Sequence, residues 1–230
     1  GVVNIITKDG RSEPDVADLS VDGGSNKFWK ALGEFSGKTD SMDYRLSGSR
    51  SMGDGNRDHS AFFSTNLYGK FRFVVTPSFQ LNAVVMGTSY FNENPEGPNK
   101  DQVRENPDQA NPDSAKQNEF AQTSRVTDGL VGTAKLAVNQ DLNFTVYGRK
   151  TDFTESVPST VQHRTLNNPG AMIQYTFHGG TGPVKNHFSL GVDASWQNID
   201  EYRNPNLGHA IEGPAKVSDE TIKQHGYGFY

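Results

Sequence analysis

The chain alternates. Over residues 42–51, Met42, Tyr44, Leu46 and Gly48 fall at one parity and Asp43, Arg45, Ser47 and Ser49 at the other. A period of two puts each set on its own face of an extended strand. At 63–73, Phe63, Thr65, Leu67, Gly69, Phe71 and Phe73 oppose Ser64, Asn66, Tyr68, Lys70 and Arg72. At 79–88, Phe79, Leu81, Ala83, Val85 and Gly87 oppose Gln80, Asn82, Met86 and Thr88. Shorter versions occur at 16–21 (Ala17, Leu19, Val21) and at 27–37 (Trp29, Ala31, Gly33, Phe35). Further candidates lie at 130–138, 142–153, 168–178, 187–198 (Phe188, Leu190, Val192, Ala194, Trp196) and 221–230. The pattern predicts an all-β, antiparallel fold of about ten strands.

Strand length and connection length narrow the class. The segments run about 9–13 residues, near the roughly 9–11 that a tilted strand needs to cross a bilayer and longer than the usual 5–6 or so. After the first, connections alternate. Those at 38–41, 76–78, 139–141 and 180–185 are short; those at 52–58, 92–127, from Thr154 and from Asp200 are long. Short turns at one end and long loops at the other mark a transmembrane β-barrel. Lipid offers no partner to backbone N–H and C=O groups, so each strand must pair on both sides. The faces with Phe71, Phe73, Phe79, Leu81 and Phe188 then touch acyl chains, and those with Arg45, Lys70, Arg72 and Asn82 face a wet or plugged interior. Phe28 with Trp29, Phe71 with Phe73, and Tyr90 with Phe91 stand near strand ends, as interfacial girdles do. The stretch 92–127 is rich in Pro, Asn, Asp, Glu and Gln. It reads as a solvated loop, with an external loop folding over a ligand as the functional reading.

Composition agrees. Hydrophobic residues make up 33% and mean hydropathy is -0.69. No run approaches the roughly 18 apolar residues of a membrane helix, and a barrel needs only every second residue apolar. The absence of Cys excludes disulfides and thiolate metal sites. A net charge of -5 gives no nucleic-acid footprint.

The first residues carry a more specific signal. Gly1-Val2-Val3-Asn4-Ile5-Ile6-Thr7-Lys8 is β-branched and ends at the turn signal Asp9-Gly10. This string resembles the end of the plug domain in TonB-dependent outer-membrane receptors, just before the chain enters the barrel. The weaker match Tyr44-Arg45-Leu46-Ser47-Gly48, leading into Asp54-Gly55-Asn56-Arg57, extends it. The resemblance implies residues 1–13 as the end of a plug and 14–230 as the N-terminal part of a larger plugged barrel of about 22 strands. It implies active transport of a scarce nutrient, foremost an iron–siderophore complex, across the bacterial outer membrane. The implied partners are the TonB–ExbB–ExbD complex, reached through an upstream segment, a small-molecule or metal-chelate ligand, and outer-membrane lipid. No cofactor, catalytic residue or resident metal is implied.

Other motifs fall short. Gly179-Gly180-Thr181-Gly182-Pro183-Val184-Lys185 lacks the Gly-Lys-Ser/Thr ending of a phosphate loop and reads as a turn. Gly53 and Gly55 have no third glycine to make a dinucleotide fingerprint. The six histidines show no metal-ligand spacing. For anionic or flat aromatic cargo, Arg, His and Tyr at external strand ends are suitable contacts. The candidates are Tyr90, His163, Arg164, Tyr202, Arg203 and His209. Two alternatives stand beside uptake: a passive porin or surface-binding barrel, and a ten-stranded barrel enzyme using His163 or His209 at its rim.

Overall fold

The computed structural model describes residues 7–12, 15–181 and 184–230. The buried strand expected at the start of the chain, the boundary at residue 13 and the middle of the 180–185 turn lie outside the described residues.

The strands are β1 (Ala17–Gly23), β2 (Trp29–Lys38), β3 (Met42–Gly53), β4 (Phe62–Thr76), β5 (Phe79–Glu93), β6 (Phe120–Ala137), β7 (Gln140–Ser156), β8 (Thr160–Asn167), β9 (Gly170–Thr181), β10 (Val184–Pro205) and β11 (Ser218–Phe229). They form one 11-stranded antiparallel sheet in chain order. β8 pairs with the upper parts of β7 and β10, and β9 with their lower parts. The two are one column, so the sheet has the ten columns that the alternation predicts.

The break between them is Pro169. It has no N–H to give the ladder. Trp196 N donates to Pro169 O at 3.0 Å, but the return bond cannot form. The Asn168 side chain supplies it, Nδ2 donating to Trp196 O at 2.7 Å. On the other side Asn168 and Arg149 exchange backbone bonds of 2.8 and 3.2 Å. Pairing therefore runs through a proline in a central column.

One face is apolar over most of its height. Leu19, Val21, Leu67, Val126, Phe188 and Leu190 are exposed on it, and no second layer covers them among the described residues. The cross-strand row Phe71–Ala83–Leu130–Val146–Ala171–Ala194–Tyr227 crosses seven columns. Aromatic rings bound the band. Phe63 lies 5.5 Å from Phe91, and Phe91 lies 5.4 Å from Phe120; lower down, Phe71 stacks on Phe73 at 6.5 Å. Phe63 and Phe71 are eight residues apart on β4, about 27 Å of strand, or roughly 20 Å of depth at a barrel tilt. Where a ring must cross the face, glycine makes room: a methyl on Gly132 would collide with the Phe144 ring.

Three expectations are corrected. The strands are longer than 9–13 residues: β6 has 18, β7 has 17 and β10 has 22. The first long connection is at 54–61, and the other three shrink accordingly, to 94–119, 157–159 and 206–217. The stretches read as loops lost their alternation without losing their ladder. Above Leu130 and Val146 the lipid-side parity mixes Asp128, Lys150 and Asp152 with Val126 and Phe120, so the contrast between the faces fades while the backbone stays paired. Tyr90 leaves the girdle: it shares the polar face of β5 with Asn82, and only Phe91 is on the apolar side.

β1 and β11 each pair on one side only among the described residues, so these ten columns do not close on themselves.

Two outcomes follow. Leu67→Arg should cost about 2–4 kcal/mol of folding stability in lipid, whereas Asn66→Arg, one residue away on the other face, should cost far less; urea titration of the full-length protein in bilayers measures both. Asn168→Ala, which leaves Trp196 O without its donor, should cost about 1–3 kcal/mol in the same assay.

Candidate functional site

The polar face is built from the parity that the apolar face leaves over. Near the short-turn end its charges are paired. Arg45 binds Glu34 at 3.1 Å, and Arg72 binds Asp43, which is 1% exposed. Desolvated charges of this kind persist only with a partner.

Residues 7–12 are seated on this wall. Tyr68 Oη donates to Thr7 Oγ1 at 2.8 Å, and Lys70 Nζ donates to Thr7 O at 3.0 Å. Gly10 is buried so closely against Gly37 and Tyr44 that an added Cβ would strike their backbone. Asp9 folds the turn, accepting from the N–H groups of Arg11 and Ser12, both at 3.1 Å. Burial acts to raise its pKa, but the Arg11 guanidinium and these N–H bonds outweigh it and hold the carboxyl at about 2.

Toward the long-loop end, one row of the polar face reads Ser64–Tyr90–Thr123–Phe153–Arg164–Glu201–Glu220. Arg164 Nε donates to Glu201 Oε2 at 2.7 Å, and Arg203 Nη2 donates to Glu201 Oε1 at 2.9 Å. The Arg164 guanidinium also lies 5.9 Å from the Phe153 ring centre. Arg125, one row lower, donates to Thr151 Oγ1 at 3.1 Å. Tyr90 stands three columns from Arg164, roughly 14 Å at ordinary strand spacing.

The six candidates divide. Tyr90, Arg164 and Arg203 share this wall. His163 and Tyr202 are on the opposite face, where their rings stack at 4.7 Å. There His163 Nε2 meets Glu212 Oε1 at 2.7 Å, and Lys216 lies 4.6 Å from the Tyr202 ring centre. His209 is in the 206–217 loop, its N–H donating to Lys116 O at 3.1 Å. No hydrogen bond or ring contact joins His163 to His209 among the described residues. Sequence reasoning missed Phe153, Glu201 and Arg125. Their parity was readable, but the pairing of Arg164 with Glu201 depends on a register that no local signal fixes.

The external connections form a tied cap. Arg57 donates to the carbonyls of Glu96 at 2.8 Å and of Gln109 at 2.9 Å. Asn99 and Asn111 cap two short helices, α1 (Lys100–Glu105) and α2 (Pro112–Gln117). Asn206 Nδ2 bridges to Val157 O at 3.0 Å and to Gln117 O at 3.2 Å, joining three connections. The stretch expected to be a solvated loop is thus largely ordered by side-chain-to-backbone bonds.

His59 and Glu119 sit beneath it. His59 Nε2 is 2.8 Å from Glu119 O, which requires the Nε2–H form as donor. Glu119 is 3% exposed, and burial, followed by the Glu96 charge, raises its pKa. Burial acts to raise Glu212 too, but hydrogen bonds from His163 and Asn204 prevail and lower it.

No family model matches this chain, and no curated protein sequence matches it. Its fold matches solved structures. The ferripyoverdine receptor of the outer membrane of Pseudomonas aeruginosa aligns over 92% of this chain and 34% of its own, with a TM-score of 0.73 and 11% identity. BauA, the ferric preacinetobactin receptor from Acinetobacter baumannii, aligns over 93% and 38%, at 0.69 and 10%. The ferric-catecholate import receptor Fiu from E. coli K12, in an open form, aligns over 94% and 40%, at 0.67 and 13%. The chain spans about a third to two fifths of the length of these structures. Its fold is that of part of the β-barrel wall in these structures.

A carboxyl whose folded pKa is raised stabilises the fold below its ordinary range, and that contribution is lost as pH rises through the raised value. Glu119→Gln should therefore slow amide exchange across 94–119 at neutral pH. Hydrogen-exchange mass spectrometry should show the difference from the parent vanishing near pH 4.

Proposed function

We propose that this chain is part of a receptor that takes up an iron–siderophore complex across the bacterial outer membrane by a TonB-dependent mechanism. Residues 1–13 are the end of its plug, and 14–230 the first part of its barrel. The observation that carries the reading is the two-sided wall: an exposed apolar face on one side, and on the other a polar face on which residues 7–12 are seated. An exposed apolar belt of this extent suits lipid. A chain segment seated on the polar side suits an occluded lumen, and an occluded lumen needs an external energy source to open. The likeness to three siderophore receptors supports the cargo class.

In this reading the cap and the upper polar wall receive the cargo. Arg164 and Arg203 present two guanidinium groups held by one carboxylate, Phe153 adds a flat face beside them, and Tyr90 adds another farther along the same row. Such a wall recognises an anionic chelate with planar aromatic parts. The chain's residues position and release; no covalent step is assigned to them. The TonB–ExbB–ExbD complex supplies the energy through the plug.

Uptake of labelled ferric siderophores by cells whose only receptor is the full-length protein tests the reading. Accumulation should require TonB; equal accumulation without TonB would leave a passive pore. Losing one charge-assisted hydrogen bond costs about 1.5–3 kcal/mol, so Arg164→Ala with Arg203→Ala should weaken cell-surface binding at least about 10-fold. His163→Ala, on the opposite face, should leave binding unchanged.

A further inference from the structure

The polar face carries a second cluster at its other end. His178 and His187 are direct cross-strand partners close to the β9–β10 turn. Phe177 and Phe188 beside them are on the apolar side, so both imidazoles share the polar side with Asp141 of β7. His178 Nδ1 and His187 Nδ1 are 2.7 Å apart. His178 Nε2 is 2.8 Å from Asp141 Oδ2. The two rings meet edge to face, 4.9 Å between centres. Nothing in nutrient capture at the external end uses this group.

With both rings neutral, one proton arrangement satisfies both contacts. Asp141 accepts from His178 Nε2–H, which leaves His178 Nδ1 with a free lone pair. His187 Nδ1–H fills it. Two nitrogens that share one proton at this distance also chelate well once the proton leaves. His187 does so without net proton loss, by moving its hydrogen from Nδ1 to Nε2. Asp141 then has the standard place of a carboxylate behind a metal-bound histidine, setting its tautomer and raising its basicity.

We propose that His178 and His187, oriented by Asp141, form a binding site for a divalent transition metal of square-planar or tetragonal preference, Cu2+ or Ni2+, at the short-turn mouth of the polar wall. The ligand set selects the metal. Two imidazoles completed by water follow the ordinary affinity order of divalent ions, in which Cu2+ is held most tightly and Zn2+ more weakly. The cross-strand pair already brings the two nitrogens within 2.7 Å of each other. The rings must turn so that both lone pairs meet at one apex, and His187 is exposed and His178 half-buried, so each has room. No group of three His, Cys, Asp or Glu ligands converges anywhere among the described residues, so water completes the coordination. Lys135, paired with Asp141, and Lys185, two residues before His187, add positive charge nearby. The site therefore depends on the Asp141 carboxylate for charge as well as orientation.

The test is Cu2+ titration of untagged full-length protein by calorimetry, with electron paramagnetic resonance of the bound ion. The parent should bind one Cu2+ equivalent with a two-nitrogen hyperfine pattern, and Zn2+ at least about 10-fold more weakly. His178→Ala with His187→Ala should abolish that equivalent, and Asp141→Asn should weaken it about 10–100-fold. His163→Ala with His209→Ala should leave it intact. Retained TonB-dependent uptake in the His178/His187 variant certifies its fold and separates this site from the transport reading. Unchanged Cu2+ stoichiometry and affinity in that variant, or Zn2+ held as tightly as Cu2+ in the parent, would overturn the assignment.

Discussion

One requirement governs the chain: in hydrocarbon, no backbone N–H or C=O can be left without a partner. The ladder is therefore continuous from β1 to β11, even where side-chain patterning fails. Pro169 is the sharpest case. A proline in a central column removes a ladder donor, and here the preceding side chain, Asn168, restores it to the same carbonyl. Glycines at positions such as Gly132 serve the same continuity, letting a ring lie across the sheet where a side chain would force it apart.

Once the ladder is obligatory, the two faces divide the remaining work. The apolar face needs no internal contacts, because its partner is lipid, so few hydrophobic side chains here are buried by protein. Order and specificity pass to the polar face, where charge pairs, the seated 7–12 segment and the Arg164–Glu201–Arg203 cluster are found. Glu201 keeps both guanidinium groups oriented. In the uptake reading proposed above, an incoming anion would compete with it, and the wall would favour ligands that can replace a carboxylate's geometry.

The legibility of the sequence follows the same division. At Met42 to Gly48 and Phe63 to Phe73, lipid on one side and water on the other write a period of two, so the strands and their faces were readable. Over 120–129 the lipid-side parity mixes Phe120 and Val126 with Gln122, Ser124 and Asp128, and over 160–167 it carries His163, Thr165 and Asn167, so alternation no longer distinguishes faces and paired strand read as loop. Of the candidate site residues, Tyr90, Arg164 and Arg203 were chosen for their chemistry and share a wall. His163 and Tyr202 had equally suitable chemistry and fall on the other face, because each is next to one of these arginines on its strand and successive side chains alternate. The cap was illegible for another reason: its order comes from Arg57 and Asn206 reaching carbonyls far along the chain. Propensity does not register such bonds.

The positions of these features constrain any coupling between the two ends of the polar wall that the proposed uptake would need. Lys70, which holds Thr7, is on β4, and Arg164 is on β8, four columns away. Four strand spacings come to about 19 Å. The rows also differ: Arg164 is level with Ser64, six residues above Lys70, or roughly 20 Å of strand. The seat and the arginine wall are thus roughly 28 Å apart along a hydrogen-bonded sheet. A continuous ladder deforms little, so a shift at Thr7 cannot reach Arg164 by bending the wall between them. Any signal between the two ends must pass through a body that touches both, either a plug in the lumen or the cap above it. If the uptake reading proposed above holds, this geometry makes the barrel wall a fixed frame and puts the moving part on its polar side.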